Sequence, residues 1–251
     1  MTNNDRGGRT WQQLQRWYRE PLGRELSTAE AAILSEFLPF LFGYYAVVIG
    51  VSSGRDPLAS SPIANRFRID SQPPVGFPVN LLAETDQLPL QTDSIDLVVI
   101  PHTLEATARP DALIDELNRV LIPEGHAVII GFNPRSLWGL WRLQRWFSRD
   151  SHWPRRAWSA SRMQRTLAAA GLEVVNTRYC FYRPPLKKSR WLARLSFLER
   201  WGPRWWPRSG GEYIMLVKKR VTTLTRIKPR QRRNKRLVTV GIANIKQHSE
   251  G

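Results

Sequence analysis

The chain has one cysteine, few acidic side chains and no long apolar run. With only Cys180 among 251 residues, no disulfide can form within the chain, and a reducing compartment is expected. The longest mostly apolar stretch, residues 37–51, contains Pro39 and Gly43 and is too short to span a bilayer. The N-terminus lacks an apolar core of signal-peptide length. These absences predict a cytoplasmic protein.

Histidines are also scarce, and the four present are isolated from one another along the chain. His102, His126, His152 and His248 show none of the close ligand spacings of zinc-binding motifs. No Ser/His/Asp or Cys/His arrangement typical of nucleophilic catalysis stands out either. The spacing therefore predicts no bound metal, and Cys180, in an apolar segment, is expected to be a buried packing residue.

Acidic residues are scarce above all towards the C-terminus. The formal net charge is +17, and residues 218–251 contain eleven Lys and Arg against one acid, Glu250. Such a segment is typical of a solvated, flexible extension or of one attracted to RNA or an anionic membrane. We predict a basic, flexible tail outside the folded domain.

What the chain does have is one well-marked strand–helix–strand unit, from residue 93 to residue 132. Residues 96–100 form a short β-branched run typical of a strand covered on both faces. A helix is predicted to begin near Pro110 and to stop at Pro123, and residues 126–132 supply the next strand. Its apolar positions are Leu113, Ile114, Leu117, Val120 and Leu121. A crossover of this length joins parallel strands in a right-handed connection, so the pattern predicts an α/β doubly wound sheet.

Further elements are predicted on either side of this unit. Ser27-Thr28-Ala29-Glu30 is a capping-box pattern that predicts a helix starting at Ser27, which Pro39 should kink or end. The remaining predicted elements are strands at 45–49, 66–70, 79–83, 172–183 and 212–217, and a helix at 159–170.

Four blocks in the central part of the chain carry a family resemblance. They are Leu88-Pro89-Leu90, Ser94-Ile95-Asp96-Leu97-Val98, Leu104-Glu105 and Asn118-Arg119-Val120-Leu121-Ile122-Pro123-Glu124-Gly125. In this order the blocks resemble class I S-adenosylmethionine-dependent methyltransferases, in the type 11-like branch that includes small-molecule and quinone methyltransferases. The resemblance implies a Rossmann-like, mostly parallel sheet with an antiparallel last strand, S-adenosyl-L-methionine as cofactor and a small-molecule acceptor.

The resemblance places the cofactor loop directly after the first strand. It implies cofactor contacts from Gly50, Val51, Ser52 and Gly54, in a turn where the backbone approaches the ligand closely. Only Gly50 and Gly54 match the family's glycines. Val48 stands where the family often has an acid that helps to hold the methionine amino group, and Ser52 replaces the middle glycine.

Further cofactor contacts are implied at the ends of the following strands. Asp70, at the end of the second strand, matches the carboxylate that takes the ribose hydroxyls. Glu84 occupies the position that meets the adenine amino group, and Leu88 is expected to flank the ring. Pro101 follows the fourth strand and is expected to face the cofactor or the acceptor.

His102 is the one imidazole placed near the expected reaction centre. It is our candidate catalytic residue, as a general base near neutral pH. The alternative is a packing or cofactor-lining role, because displacement from a sulfonium depends mainly on alignment and desolvation. Glu105 is expected to cap or brace the following helix.

The composition changes after residue 134, where tryptophan and arginine become frequent. We divide the chain into a lead-in (1–26), a methyltransferase-like domain (27–217) with Trp/Arg-rich insertions at 135–158 and 184–211, and the tail (218–251). The insertions suit a lid over the acceptor site, docking to a membrane interface, or RNA contact. A second hypothesis is therefore a non-catalytic protein of this fold that binds RNA or anionic membrane through these segments.

Overall fold

A computed structural model describes residues 14–50, 55–71, 79–139, 157–185, 194–195 and 197–220. The predicted loop residues Val51, Ser52 and Gly54 lie outside the described residues. So do most of the first Trp/Arg-rich insertion, part of the second and nearly all of the basic tail, together with His152 and His248.

A seven-stranded sheet in the order β3-β2-β1-β4-β5-β7-β6 forms the centre of the described structure. The strands are β1 (Tyr45–Ile49), β2 (Asn65–Asp70), β3 (Leu81–Leu82), β4 (Ile95–Pro101), β5 (Leu121–Phe132), β6 (Leu172–Cys180) and β7 (Glu212–Lys219). Strands β1 to β5 pair in parallel, and β7 runs antiparallel to both of its neighbours. The predicted α/β doubly wound sheet with an antiparallel last strand is confirmed.

Helices cover both faces of this sheet. They are α1 (Pro21–Phe37), α2 (Thr103–Ala106), α3 (Pro110–Val120), α4 (Ala160–Ala169) and α5 (Phe197–Trp205). Alternate side chains of β1 enter two different cores, because successive residues of a strand point to opposite faces. Val47 and Ile49 share a core with α3 and α4, whereas Ala46 and Val48 pack with the end of α1. This double covering explains the continuous apolar runs of the central strands.

Helix α1 begins six residues before the predicted start. Pro21 is in its first turn and Glu20 is the N-cap residue, so Ser27 and Glu30 lie inside the helix and are buried. Proline suits the first turn because its missing N–H would have no helical partner there. The capping-box prediction was therefore wrong, whereas the predicted end was right: α1 stops at Phe37, and a 3₁₀ turn containing Pro39 follows.

The predicted lead-in packs against the rest of the domain. Leu14, Trp17 and Tyr18 are helical and buried, and they share a core cluster with Phe132 and Trp138. The predicted domain boundary at residue 26 falls inside α1. The segment before that boundary thus contributes side chains to the core.

The transition from α3 to β5 differs from the prediction in one respect. Pro110 occupies the first turn of α3, as predicted, but the helix ends at Val120, before Pro123 is reached. Leu121 is already extended and pairs with Ile95 of β4. Strand pairing, and not the proline, ends this helix.

The C-terminal part of the described structure follows the predicted order. Ser159 is the N-cap of α4, and its side chain accepts a hydrogen bond from the Arg162 amide. Gly171 follows the helix with a φ of 81°, a left-handed conformation that favours glycine. Cys180 is buried at the end of β6, as expected. Among the described residues, no helix has the length and apolar character needed to cross a bilayer.

Candidate functional site

The order of the strands reverses between β1 and β4, and ligands of open α/β sheets bind at such a switch point. Gly50 follows β1 at this edge, is buried and has a φ of 103°. Its amide donates a hydrogen bond to the Ile69 carbonyl at 2.9 Å. A left-handed residue is needed for this turn, so Gly50 serves the conformational role that the sequence implied.

Asp70 lies one strand further along the same edge, as the last residue of β2. Its side chain is buried, with 2% of the residue surface exposed, and its carbonyl accepts a hydrogen bond from the Ala83 amide. Arg68 is nearby on the same strand. Burial lowers the pKa of Arg68, and the charges of Asp56 and Asp70 oppose that shift. Asp70 is therefore a buried carboxylate at the end of β2, and its contact with ribose hydroxyls stays a prediction.

The other predicted cofactor contacts have different surroundings. Glu84 is exposed, whereas Leu88 is packed in the core and donates its amide hydrogen to Glu116 at 2.7 Å. Pro101 is buried at the end of β4. Pro101 also lines a cavity.

This cavity, of about 280 Å³, lies beneath α1 at the carboxyl end of β4. Its walls are formed by Ser27, Glu30, Ala31, Leu34, Ser35, Arg55, Asp56, Pro57, Ala59, Ser60, Pro101 and Ile130. Gly50, Asp70 and Glu84 are all among the described residues, and none of them lines this cavity. The cavity and the predicted adenosine contacts are therefore separate parts of one edge of the sheet.

His102 follows β4, as the sequence predicted, but its surroundings differ from those expected of a general base. It precedes α2 with a left-handed φ of 54°, and its imidazole is completely buried. Nδ1 lies 3.1 Å from Oε2 of Glu105, and Nε2 lies 3.2 Å from Oε1 of Glu212 and 3.6 Å from Oε1 of Glu30. A general base must reach the proton that it removes. His102 faces a buried carboxylate cluster and not the cavity, so the structure gives no support to the predicted catalytic role.

Glu105 also differs from its predicted role as a cap or brace of the following helix. Its Oε1 accepts a hydrogen bond from the Phe132 amide at 2.5 Å, at the end of β5. Its Oε2 faces His102. The buried carboxylate therefore joins the segment after β4 to the end of β5, because both oxygens have partners on these elements.

Two residues of this cluster, Glu30 and Glu212, were missed in the sequence. Tyr18 donates a hydrogen bond to Oε1 of Glu30 at 2.7 Å, and the Cys180 thiol lies 3.9 Å from Oε2 of Glu212. Glu30 falls on the buried stripe of α1, between Leu26 and Leu34. A carboxylate within an apolar helix face was the one available signal. Glu212 begins an apolar strand, and no sequence signal marked it as part of the cluster.

Burial and mutual charge shift the ionisation of these groups. Burial opposes the imidazolium form, but the charge of Glu212 and contacts with Glu105, Glu212 and Glu30 raise the pKa of His102 well above its usual range. Burial and the charge of Glu30 raise the pKa of Glu212 to about 8, against the opposing effect of His102. Burial is also the main cause of the raised pKa of Tyr18.

Comparison with known proteins agrees with the fold. Residues 44–129 match the family profile described as a methyltransferase domain. The chain is 25% identical to the protein YafS of Escherichia coli (strain K12) over 231 residues, covering 92% of this chain and 91% of that protein.

Two solved structures share the architecture at low sequence identity. A SAM-dependent methyltransferase of Thermotoga maritima superposes with a TM-score of 0.60 and 16% identity, covering 84% of this chain and 100% of that one. A SAM-dependent methyltransferase of Archaeoglobus fulgidus gives a TM-score of 0.53 and 16% identity, covering 75% of this chain and 92% of that one. With the profile match over residues 44–129, the strand order shows a methyltransferase-like domain with the fold of class I S-adenosylmethionine-dependent methyltransferases.

Proposed function

We propose that this protein is an S-adenosylmethionine-dependent methyltransferase that acts on a small-molecule acceptor. The observation that carries the proposal is the cavity at the switch point of the sheet, between the end of β4 and residues 55–60. In open α/β sheets the crevice outside the carboxyl ends of the strands is where ligands bind. A methyltransferase domain with a cavity at this edge is suited to bring a cofactor and an acceptor together.

The residues at the ends of β1 and β2 fit the cofactor. Gly50 has no side chain and takes the left-handed conformation, so a ligand can approach the backbone of this turn closely. Asp70 provides a buried carboxylate, a group that accepts charge-assisted hydrogen bonds from two hydroxyls of a ribose. When bound, the cofactor supplies a methyl group on a sulfonium. The protein's part is to hold and orient it, because such a displacement depends mainly on alignment and exclusion of water.

The cavity wall suits a small acceptor with both apolar and polar parts. Leu34, Pro101 and Ile130 provide apolar surface, while Arg55 and Asp56 provide charged groups. A volume of about 280 Å³ is at the low end of the roughly 300–1,000 Å³ typical of small-molecule pockets. We therefore place a compact acceptor here, and no side chain is assigned as general base.

Calorimetric titration with S-adenosylmethionine and S-adenosylhomocysteine tests the proposal. Wild-type protein should bind both ligands, and Asp70→Asn should weaken binding by roughly 10- to 100-fold, because charge-assisted hydrogen bonds are about twice as strong as neutral ones. The matched control is Asp115→Asn, at an exposed position of α3, which should bind like wild type. Absence of binding to folded wild-type protein would overturn the proposal.

A second candidate function rests on the surface of α5. Phe197, Trp201 and Trp205 each expose more than half of their surface, as does Trp206 directly after the helix. Arg200 and Arg204 lie between these aromatic residues. Tryptophan with arginine on a short amphipathic helix is suited to the interface of an anionic membrane. The alternative is thus a non-catalytic protein of this fold that attaches to such a membrane.

Vesicle sedimentation separates the two candidates. Under the alternative, vesicles containing phosphatidylserine should bind the full chain, and Trp201→Ser with Trp205→Ser should reduce binding without changing the cofactor titration. Deletion of residues 218–251 measures the separate contribution of the predicted basic tail. Equal binding to neutral vesicles, or preference for RNA over vesicles, would count against the membrane alternative.

A further inference from the structure

We propose that Glu30, His102 and Glu212 form a buried site for one divalent transition-metal ion such as Zn²⁺. The three residues come from α1, the segment after β4 and the start of β7, so only the fold brings them together. The inference does not rest on the proposed methyltransferase activity. It also departs from the prediction of no bound metal, which rested on spacing along the chain.

The distances between the candidate ligand atoms suit a metal ion. Nε2 of His102 lies 3.2 Å from Oε1 of Glu212 and 3.6 Å from Oε1 of Glu30. All three ligand atoms lie within 4.8 Å of one another. Ligands about 2.0–2.2 Å from a tetrahedral Zn²⁺ are roughly 3.3–3.5 Å apart, so small adjustments complete the site.

Two of the three candidate ligand atoms lack a hydrogen-bond partner among the described residues. Among the described residues, neither Nε2 of His102 nor Oε1 of Glu212 makes a hydrogen bond, although both are completely buried. The two atoms are close, but their geometry is not that of a hydrogen bond. Buried polar atoms without a partner are rare, and an ion is one of the groups that satisfies them.

Glu105 provides the support that metal-binding histidines usually have. Its Oε2 lies 3.1 Å from Nδ1 of His102, and its Oε1 is held by the Phe132 amide. When an ion occupies the site, the imidazole keeps the proton on Nδ1, which faces Glu105, and the lone pair of Nε2 is directed towards Glu30 and Glu212. A carboxylate on the second nitrogen of a histidine fixes the tautomer and the orientation of the ring in known metal sites.

The charge balance also favours a cation. Glu30, Glu105 and Glu212 are each 5% exposed or less and surround a single imidazole. Three buried carboxyl groups that converge on one imidazole suit a bound cation, because a buried charge is stable only when it is paired or coordinates a metal. A divalent ion offsets two charges at the point where the carboxylates of Glu30 and Glu212 converge.

The donor set and the burial indicate the type of ion and its role. One imidazole and two carboxylates suit first-row divalent ions, with Zn²⁺ bound more tightly than Mn²⁺. Three protein ligands leave one position of a tetrahedral ion open, but all three side chains are almost completely buried, so we assign the ion a structural role. Glu30 also lies in the cavity wall. The ion would therefore hold the cavity-lining part of α1 against the start of β7.

Metal analysis and titration of the full chain test the proposal. Chelator-treated protein, refolded with Zn²⁺, should retain one equivalent after gel filtration, and the visible spectrum of the Co²⁺ form should report the ligands. Free Zn²⁺ at about 1,000 times its Kd should raise Tm by roughly 8 °C or more. Glu212→Gln and Glu30→Gln should lose the bound equivalent. Glu105→Gln should bind Zn²⁺ roughly 10- to 100-fold more weakly.

A matched control is His126→Gln, because His126 is on β5 and outside the cluster. This variant should keep the equivalent of Zn²⁺ and the Co²⁺ spectrum. Folded wild-type protein that takes up neither Zn²⁺ nor Mn²⁺ would overturn the proposal. The proposal would also be overturned if Glu212→Gln kept the bound Zn²⁺ while His126→Gln lost it, because the ion would then be bound elsewhere.

Discussion

The imidazole of His102 stacks on the ring of Phe132, with ring centroids 4.2 Å apart. Glu105 contacts both residues, through Nδ1 of the imidazole and through the Phe132 amide. One ring contact and one buried carboxylate thus add to the backbone pairing that joins the ends of β4 and β5. This arrangement fixes the left-handed His102 at the carboxyl end of β4, with its imidazole towards Glu30, Glu105 and Glu212.

Replacing Glu105 by Gln should destabilise the protein. The amide keeps the size of the side chain but removes the charge, so the contacts with the Phe132 amide and His102 both weaken. Hydrogen bonds to charged groups contribute roughly 1.5–3 kcal/mol each, and we expect a loss of that order in the free energy of unfolding. Urea unfolding followed by circular dichroism measures it. The exposed variant Asp115→Asn should differ little from wild type, and equal stability of the two variants would contradict the role given to Glu105.

Gly202→Ala should displace α5. A Cβ at this position would overlap Cβ and Cγ of Tyr182, and overpacking of this kind typically costs about 1–3 kcal/mol. The ring of Tyr182 is held by a hydrogen bond from its hydroxyl to the Pro207 carbonyl at 3.0 Å, so it has little freedom to move away. Thermal unfolding and tryptophan fluorescence should both report the change. Arg204→Ala, at an exposed position of α5, is the control that should leave both signals close to wild type.

Arg119 should be important for the turn before β4. Its guanidinium donates hydrogen bonds to the carbonyls of Leu88 and Leu90 and to the carboxylate of Glu116. Arg119→Met keeps the length of the chain but leaves these acceptors without their donor. We expect a loss of roughly 1–3 kcal/mol in the free energy of unfolding. Recovery of stability in a double variant, Arg119→Met with Glu116→Met, would show that the uncompensated carboxylate is the main cause, and no loss in the single variant would contradict the assignment.

Four tyrosine side chains should ionise only at a pH above the usual range of a phenol. Burial is the main cause that raises the pKa values of Tyr18, Tyr213, Tyr179 and Tyr182, the last to about 12. The folded state favours the neutral phenols and is stabilised by this preference. The stabilisation is fully present at a pH below the unfolded pKa of about 10. It is lost as the pH rises through the higher folded values.

Absorbance of tyrosinate in the near ultraviolet measures this effect. In the folded protein we expect four of the six tyrosines to ionise above the usual range of a phenol, Tyr18 and Tyr213 last of all. In concentrated denaturant all six should titrate together near pH 10. Simultaneous ionisation of all six in the folded protein would contradict the described burial.

The architecture could be predicted from the sequence where local pattern and packing agree. The apolar run of β1 and the proline in the first turn of α3 predicted these elements, and the structure has them at the predicted places. The start of α1 was not predicted, because Ser27-Thr28-Ala29-Glu30 has the letters of a capping box but lies in the helix interior. Burial of Ser27 and Glu30 against the sheet outweighed their local preference for a helix end.

The residues that surround His102 in the buried cluster could not be predicted from the sequence. His102 was identified as unusual, but its partners Glu30 and Glu212 come from the first helix and the last strand. No spacing along the chain predicts this meeting, because tertiary packing alone brings the three together. The predicted contacts of Val51, Ser52 and Gly54 lie outside the described residues and stay predictions.

Hydrogen-exchange mass spectrometry with and without S-adenosylhomocysteine tests the central claim most directly. If the cofactor binds at the carboxyl edge of the sheet, peptides covering residues 50–56, 68–71 and 99–106 should exchange more slowly with ligand present. Peptides from β6, at the far edge of the sheet, should be unchanged. Equal exchange in all peptides at saturating ligand, or slower exchange confined to α5, would contradict the account.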